Sequence, residues 1–354
     1  MPWGVRRRVA FALDIDGVLL HAKKPIEGAI EALAELGGQS DAWRVPIVFL
    51  TNGGGVDEAS KARELEHLLQ LRAGVHASQV ILAHTPFRTL GASRPDETRL
   101  VVGRGSTPQV ARAYWGPSGD RGIGCDIVTT RDLIRSAGTR MVPFSSHIDF
   151  DPRDGARGRI DPMPTLDGIG SVWVFTDPRG DDWYHDLQVV LDTLLSGGAP
   201  VSGEGESKGE RVPPLYVAQR DLLFANGFHS PRLGLGAWVR CLERVYKSVT
   251  GKDLAYECFG KPNPDVYQLA ASSLRVQADA LGWSSWGTQR SDAIMAVGDN
   301  LSVDIRGANS AGWESSLVMT GVARAGELRD AKDQPTFVRP SVLEVVRSEG
   351  FGAI

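Results

Sequence analysis

The chain has 354 residues, of which 42% are hydrophobic and 23% charged, and its formal net charge is −4. This length exceeds the size at which single hydrophobic cores stop growing, so we expect two domains. The net negative charge does not favour binding to nucleic acid or to an anionic membrane. No apolar run approaches the roughly 20 residues that span a bilayer. We therefore expect no nucleic-acid partner and no membrane insertion.

The cysteines and the first residues bear on the compartment. Cys125, Cys241 and Cys258 lie far apart and form no CxxC pair, which favours a reducing environment. The opening stretch MPWGVRRRVAFAL has no apolar signal region with a small-residue cleavage site. We predict an intracellular protein, either cytoplasmic or mitochondrial, and leave open whether a targeting presequence has been removed.

The first part of the chain alternates between apolar strands and amphipathic helices. VAFAL, residues 9–13, is a continuous apolar run, which is typical of a parallel strand buried on both faces. It is followed by a predicted helix over 26–36, a strand over 45–50, a helix over 57–71 and a strand over 80–84. This alternation predicts right-handed crossovers and a Rossmann-like three-layer α/β/α fold with a parallel sheet.

The middle of the chain has a different texture. The strand patterns LVVG, SVWVF and PLYVA are separated by polar or glycine-rich stretches. One of these stretches, residues 197–210, is expected to be a surface loop, and the sequence does not say whether it takes part in function. We interpret residues 95–225 as an inserted α/β domain. The surrounding residues, 1–94 and 226–354, would then form one discontinuous core.

Strand and helix patterns resume late in the chain. A helix is predicted over 263–274, a strand over 293–298, a short helix over 303–312 and a strand over 315–320. These elements would complete the core sheet.

Polar side chains follow the buried strands of this predicted core. In open parallel sheets, ligands bind outside the carboxyl ends of the strands. The side chains that we expect at that edge are Asp14 and Asp16 after the first strand, Thr51, Asn52 and Gly53 after the second, Lys261 in FGKPNPD, and Asp299 and Asp304 after the late strand.

The chemistry of this set is coherent. Several carboxylates without a cation would repel one another, whereas Mg²⁺ prefers oxygen ligands. A hydroxyl, backbone N–H groups near glycines and a lysine suit a phosphoryl group, and a carboxylate can act as a nucleophile toward phosphorus. Strand alternation places Asp14 and Asp16 on the same side, so that one can attack while the other moves a proton.

Four motifs in this sequence resemble those of the haloacid dehalogenase superfamily. DIDGVLL is similar to the first motif, VFLTNGGG to the second, FGKPNPDVY to the third and VGDNLSVDIRGANSAGWESSLVMTGV to the fourth, in that order. The insertion between the second and third motifs is typical of class IIA members, which carry a C2-type α/β cap and include phosphoglycolate and pyridoxal-phosphate phosphatases. The LTNGG stretch and the long cap resemble the branch related to the cat-eye-syndrome critical region protein.

The resemblance implies roles for the acidic residues. Asp14 would be the nucleophile and a metal ligand. Asp16 would be the general acid and base and would offer its backbone carbonyl to the metal. Asp299 would be a direct Mg²⁺ ligand, and Asp304 would support the metal from its outer shell.

The resemblance also implies a phosphate-binding set. Thr51 and the backbone of Asn52, with Gly53 beside them, would bind the transferring phosphoryl group. Lys261 would neutralise the nucleophile and the phosphate. In PLYVAQRDLLF, where the family more often has asparagine-proline-aspartate, this chain has Gln219, Arg220 and Asp221, so substrate contacts in the inserted domain do not carry over.

These inferences predict a Mg²⁺-dependent phosphomonoesterase that acts on a small phosphorylated metabolite through an aspartyl-phosphate. Two alternatives stay open at this point: a catalytically inactive binding or interaction protein, and a phosphotransferase that uses the same residues. LVVGRGSTPQV offers a G-x-G after a strand, but Pro108 stands in place of the third glycine of a dinucleotide fingerprint. The oligomeric state is open, and a homodimer formed through the cap is the form that the resemblance suggests.

Overall fold

The computed structural model describes residues 7–93, 97–116, 125–137, 141–143, 166–178, 183–195, 212–283, 286–287 and 292–351. The glycine-rich segment predicted over 197–210 lies outside these residues. No helix within the described residues is both long enough and apolar enough to cross a membrane.

The strands and helices alternate along most of the chain. The strands are β1 Arg8–Leu13, β2 Leu20–His21, β3 Lys24–Pro25, β4 Ile47–Thr51, β5 Val80–Leu82, β6 Thr98–Val102, β7 Ile127–Thr129, β8 Ile169–Val174, β9 Leu215–Val217, β10 Leu223–Phe224, β11 Arg232–Leu233, β12 Glu257–Cys258, β13 Asp292–Gly298, β14 Glu314–Val318 and β15 Phe337–Arg339. The α-helices are α1 Ala29–Glu35, α2 Glu58–Leu68, α3 Phe87–Ala92, α4 Thr107–Trp115, α5 Thr130–Ala137, α6 Trp183–Leu195, α7 Leu235–Thr250, α8 Pro264–Ala280, α9 Arg306–Ser310 and α10 Val342–Val346.

The chain divides into two compact units. The first unit comprises Met1–Pro86, Asp221–Gly234 and Phe259–Ile354. The second unit comprises Phe87–Arg220 and Leu235–Cys258. The first unit is therefore discontinuous in sequence, and the second interrupts it.

The first unit is built on a six-stranded sheet with the order β15-β14-β13-β1-β4-β5. Every pair of neighbours in it is parallel. The chain leaves β1 toward β4 and β5 and later returns on the other side of β1 through β13 to β15. This reversal is the place where parallel sheets form a crevice at the carboxyl ends of their strands. The predicted parallel α/β core is confirmed.

Strand β1 is buried on both faces, as its unbroken apolar run predicts. Its larger side chains, Phe11 and Leu13, pack into the cluster that contains Leu33 of α1. Its alanines, Ala10 and Ala12, belong to the cluster on the opposite face, which α8 and β4 complete. Small side chains on that face bring α8 close to the sheet, because each leaves room for the larger residues of the helix.

Several predicted elements of the core differ from the structure in extent, and α8 differs most. Helix α8 continues to Ala280, six residues past the predicted end. Its Gln277 side chain bonds the first residue of β4: the Nε2 donates to Ile47 O at 2.9 Å and the Oε1 accepts from Ile47 N at 3.0 Å. The helix predicted over 303–312 begins earlier, with a π-helical turn at Leu301–Ile305 that leads into α9.

The second unit contains its own parallel sheet, with the order β12-β9-β8-β6-β7. The bounds of this unit differ from the predicted insertion, residues 95–225, because the unit begins at Phe87, leaves Asp221–Gly234 to the first unit and includes Leu235–Cys258. Helix α7 buries Trp238 and Leu242 in that unit's apolar cluster, and β12 pairs with β9. The sequence pattern shows that α7 is amphipathic but not which sheet its apolar face covers.

Candidate active site

Asp14 follows β1 directly, at the crevice where the strand order reverses. Its backbone N–H donates to Val297 O at 2.9 Å, which keeps the residue in register with β13. Its side chain is 10% exposed. The carboxylate is therefore held at the end of a buried strand and is almost removed from water.

Lys261 joins two carboxylates of this crevice. Its ammonium Nζ lies 2.7 Å from Asp14 Oδ1 and 2.6 Å from Asp304 Oδ1, and its side chain is 4% exposed. Burial alone would lower the pKa of Lys261, but the two carboxylates outweigh it and hold the pKa well above its ordinary value. Lys261 is therefore a fixed positive charge.

Three carboxylates converge beside this ammonium. One oxygen each of Asp14, Asp299 and Asp304 lies within 4.8 Å of the others. Burial raises the pKa of Asp14 well above its usual value; Lys261 opposes the rise, and Asp304 and Asp299 add to it. Burial, followed by the charge of Asp304, raises the pKa of Asp299 to about 7. One ammonium does not balance three buried carboxylates.

This donor set fits a hard divalent cation. Mg²⁺ is usually bound by a small number of carboxylate oxygens, and water or phosphate oxygens complete its coordination. The three oxygens lie close enough to share one ion. A double positive charge would offset burial and the repulsion between the carboxylates, which raise the pKa values of Asp14 and Asp299. The predicted metal residues Asp14, Asp299 and Asp304 thus occur together.

Glycines provide the room in which Asp299 sits. Its Oδ2 accepts a hydrogen bond from Val322 N at 2.7 Å. A Cβ on Gly321 would lie 1.7 Å from that oxygen, and one on Gly17 would lie 2.3 Å from it. Gly17 also has a φ of +93°, a backbone conformation that other residues adopt at a cost. The glycines of the DxDG and TGV stretches are therefore steric requirements of the Asp299 position.

Asp304 is placed by the π-helical turn that follows β13. Its Oδ2 accepts from Asn300 N at 3.1 Å, while its Oδ1 faces Lys261. The Tyr267 hydroxyl donates to the Asp304 carbonyl at 3.3 Å. Both oxygens of the Asp304 carboxylate are therefore held, one by the start of its own turn and the other by Lys261.

Thr51 is the last residue of β4, and Asn52 and Gly53 follow it. The Asn52 side chain has partners that sequence reasoning missed. Asn52 Oδ1 accepts from Lys261 N at 2.8 Å, and its Nδ2 donates to Lys261 O at 3.0 Å and to Asp221 Oδ2 at 2.9 Å. Thr51 Oγ1 accepts from Gly53 N at 2.9 Å. Asn52 therefore clamps the backbone of Lys261, and the aspartate of the QRD stretch anchors the clamp.

Asp16 stands slightly apart from the three-carboxylate group. Gly17 N donates to Leu20 O at 2.9 Å, and this turn holds Asp16 beyond the end of β1. Burial raises the pKa of Asp16, against the charges of Lys61 and Lys261. Its predicted metal contact is through the backbone carbonyl and stays a prediction.

Two family models match the chain. A model described as haloacid dehalogenase-like hydrolase matches residues 11–114. A second model of HAD-like hydrolases matches residues 258–345. Together they contain Asp14, Asp16, Lys261, Asp299 and Asp304.

Known proteins resemble the chain over nearly its whole length. Mitochondrial hydrolase YKR070W of Saccharomyces cerevisiae is 32% identical over 96% of this chain and 95% of its own length. The p-nitrophenyl phosphatase of Archaeoglobus fulgidus superposes with a TM-score of 0.60 at 17% identity, covering 97% of this chain and 100% of that one. The glycerol phosphate phosphatase Rv1692 of Mycobacterium tuberculosis, in complex with magnesium, superposes with a TM-score of 0.56 at 20% identity. The match covers 96% of this chain and 76% of that one.

The steric role of Gly321 can be tested by stability. In Gly321→Ala the new methyl group meets the Asp299 carboxylate, so we expect the free energy of unfolding to fall by about 1–3 kcal/mol. Gly326→Ala is the matched control, because no atom lies within 4 Å of its added Cβ, and it should change stability by less than about 0.5 kcal/mol. Urea unfolding of both variants measures the difference, and equal effects would contradict this account of the site.

Proposed function

The chain belongs to the haloacid dehalogenase-like hydrolase family, and we propose that it is a Mg²⁺-dependent phosphatase that hydrolyses the phosphate monoester of a small metabolite. The observation that carries the proposal is the buried Lys261 ammonium between Asp14 and Asp304, beside Asp299. This group combines a nucleophile, a fixed positive charge and the oxygen ligands of a cation.

The metal would be held by the side chains of Asp14, Asp299 and Asp304 and by the backbone carbonyl of Asp16. When bound, it would neutralise charge on the phosphoryl oxygens and on the three carboxylates. The Mycobacterium tuberculosis glycerol phosphate phosphatase, which has the same fold, has structures in complex with magnesium and with calcium, and this supports a divalent ion.

In the first step the Asp14 carboxylate attacks phosphorus. A bond forms between an Asp14 oxygen and phosphorus while the bond from phosphorus to the ester oxygen breaks, which gives an aspartyl-phosphate and an alkoxide that takes a proton from Asp16. Lys261 binds Asp14 Oδ1, so Oδ2 is the oxygen that we expect to attack. Lys261 also lowers the cost of negative charge on the phosphoryl group.

In the second step water hydrolyses the aspartyl-phosphate. Asp16, now a carboxylate, takes the proton of the attacking water, and the phosphorus–Asp14 bond breaks to release inorganic phosphate. Thr51 and the backbone N–H groups of Asn52 and Gly53 would orient the phosphoryl oxygens. Thr51 Oγ1 accepts from Gly53 N, so its own hydrogen is available to a phosphoryl oxygen.

Two further predictions concern the oligomeric state and the cellular compartment of the protein. A homodimer formed through the second unit stays a prediction. The sequence is compatible with both the cytoplasm and the mitochondrion, and the name of the yeast relative favours the mitochondrion. Fractionation of cells that express the full chain tests that location, and recovery in the cytosolic fraction alone would refute it.

The nucleophile and the metal are tested together with p-nitrophenyl phosphate as a generic substrate. We expect Asp14→Asn to lower kcat by about a thousandfold or more, since an amide cannot form the intermediate. Excess EDTA should abolish turnover by wild-type enzyme, and added Mg²⁺ should restore it. The exposed Asp330 provides the matched control, and Asp330→Asn should leave kcat unchanged.

Other results would select the alternatives. Full activity in Asp14→Asn or in EDTA would refute the mechanism. Absence of turnover by wild-type protein across a panel of phosphorylated metabolites would favour a binding or interaction protein. A phosphorylated alcohol among the products, when an alcohol is added, would identify a phosphotransferase.

The clamp on Lys261 gives a separate prediction. Asn52→Ala removes the two hydrogen bonds that hold the Lys261 backbone, so we expect kcat to fall by about 10- to 100-fold through misplacement of the ammonium. Asp221→Asn retains an oxygen that can accept from Asn52, and it should keep most of the activity. The control is Asn309→Ala, since that side chain bonds Gln334 and Ser315 instead. Steady-state kinetics on folded variants test this prediction. An unchanged kcat in Asn52→Ala would show that the clamp plays no part in the mechanism.

A further inference from the structure

The Asp16 carboxylate has no side-chain contact that fixes its position. Among the described residues, it accepts no hydrogen bond and forms no ion pair. A Cβ on Gly53 would lie 3.8 Å from Asp16 Oδ2, so the carboxylate lies beside the backbone that we expect to bind the phosphoryl group. The place of this carboxylate is therefore set by the backbone turn that carries it.

The turn that carries Asp16 is held both by itself and by a distant segment. Within the turn, Gly17 N donates to Leu20 O and Leu20 N donates to Ile15 O, both at 2.9 Å. The carbonyl of Gly17 accepts a hydrogen bond from outside the turn, since Thr320 Oγ1 donates to it at 2.5 Å. The residue that follows Asp16 is thus tied to a residue 303 positions away from it in the chain.

The loop of Thr320 follows β14 and crosses the end of β13. Strand β13 lies between β14 and β1 in the sheet, so the loop must span two strand spacings, roughly 10 Å, to reach the turn after β1. On the way, Val322 N donates to Asp299 Oδ2 at 2.7 Å and Ala323 N donates to Asp299 O at 3.0 Å. One loop therefore contacts both Asp299 and the turn of Asp16.

The loop and the turn approach each other closely. A Cβ on Gly17 would lie 3.1 Å from Gly321 Cα, so the two backbones meet without a side chain between them. Gly17 is buried, and its carbonyl loses the donor described above if the hydroxyl of Thr320 is removed. The hydroxyl is thus a specific requirement of this contact.

We propose that Thr320 is a positioning residue for proton transfer: by holding the carbonyl of Gly17, its hydroxyl keeps Asp16 where it can protonate the leaving oxygen of the ester. This role rests on the proposed function. In the first step the bond from phosphorus to the ester oxygen breaks, and the proton of Asp16 goes to that oxygen. Displacement of Asp16 would slow this proton transfer and would leave the attack by Asp14 unaltered.

Two aryl phosphates of similar shape test this role, because p-nitrophenolate leaves with little help from a proton whereas phenolate needs one. We compare kcat/KM, which excludes the later hydrolysis of the aspartyl-phosphate. With saturating Mg²⁺, we expect Thr320→Ala to lower kcat/KM by about tenfold or more for phenyl phosphate and by less than about threefold for p-nitrophenyl phosphate. Asp16→Asn should show the same preference to a larger extent.

Three further variants separate the hydroxyl from other properties of the residue. Thr320→Ser retains the hydroxyl and should restore the wild-type ratio of the two kcat/KM values. Thr320→Val retains the branched shape without the hydroxyl and should agree with Thr320→Ala. The matched control is Thr336→Ala, because Thr336 Oγ1 accepts from Ser315 N at 3.1 Å in the same unit, and it should leave both values unchanged. Melting temperatures show which variants are folded.

The opposing outcomes are distinct. A wild-type ratio in folded Thr320→Ala overturns the role of Thr320 while the proposed function stands. An equal loss for both esters also overturns it, since Thr320 would then act on the metal or on the fold. The same holds if Thr320→Ser fails to restore the ratio, or if neither Thr320→Ala nor Thr320→Val folds. If the wild-type enzyme hydrolyses neither ester, the proposed function fails, and the role of Thr320 fails with it.

Discussion

The buried ammonium of Lys261 is the charge on which the arrangement of the first unit depends. A charged group removed from water is strongly destabilising unless it is paired, and Lys261 is paired with Asp14 and Asp304 at hydrogen-bond distance. Those carboxylates, with Asp299, exceed its charge and would repel one another without a further cation. A divalent cation would correct this imbalance, which is why the three carboxylates suit such an ion.

Backbone packing holds this charge group in place. Gly17, Gly298 and Gly321 leave the space that the Asp299 and Asp304 side chains occupy, since an added Cβ at any of them would overlap a carboxylate residue. Asn52 ties the end of β4 to the backbone of Lys261. These contacts hold the Lys261 ammonium and the carboxylates at fixed distances from one another.

Much of the core could be predicted because its strands are buried on both faces. VAFAL and AIMAVG are unbroken apolar runs, and polar residues that follow such strands must lie at the carboxyl edge of a parallel sheet. Other features could not be predicted. The apolar face of α7 is equally compatible with either unit's sheet, and the hydrogen bonds between Gln277 of α8 and Ile47 join residues 230 positions apart.

The sequence by itself determined the alternation of strands and helices, the discontinuous core, and the types and order of the polar groups at its edge, because period and residue type are local properties of the chain. Only the tertiary structure decided that Asn52 clamps Lys261, that Asp221 anchors the clamp, and that α7 belongs to the second unit. These are pairings between distant segments, and their partners are chosen by packing and by the pairing of buried polar groups.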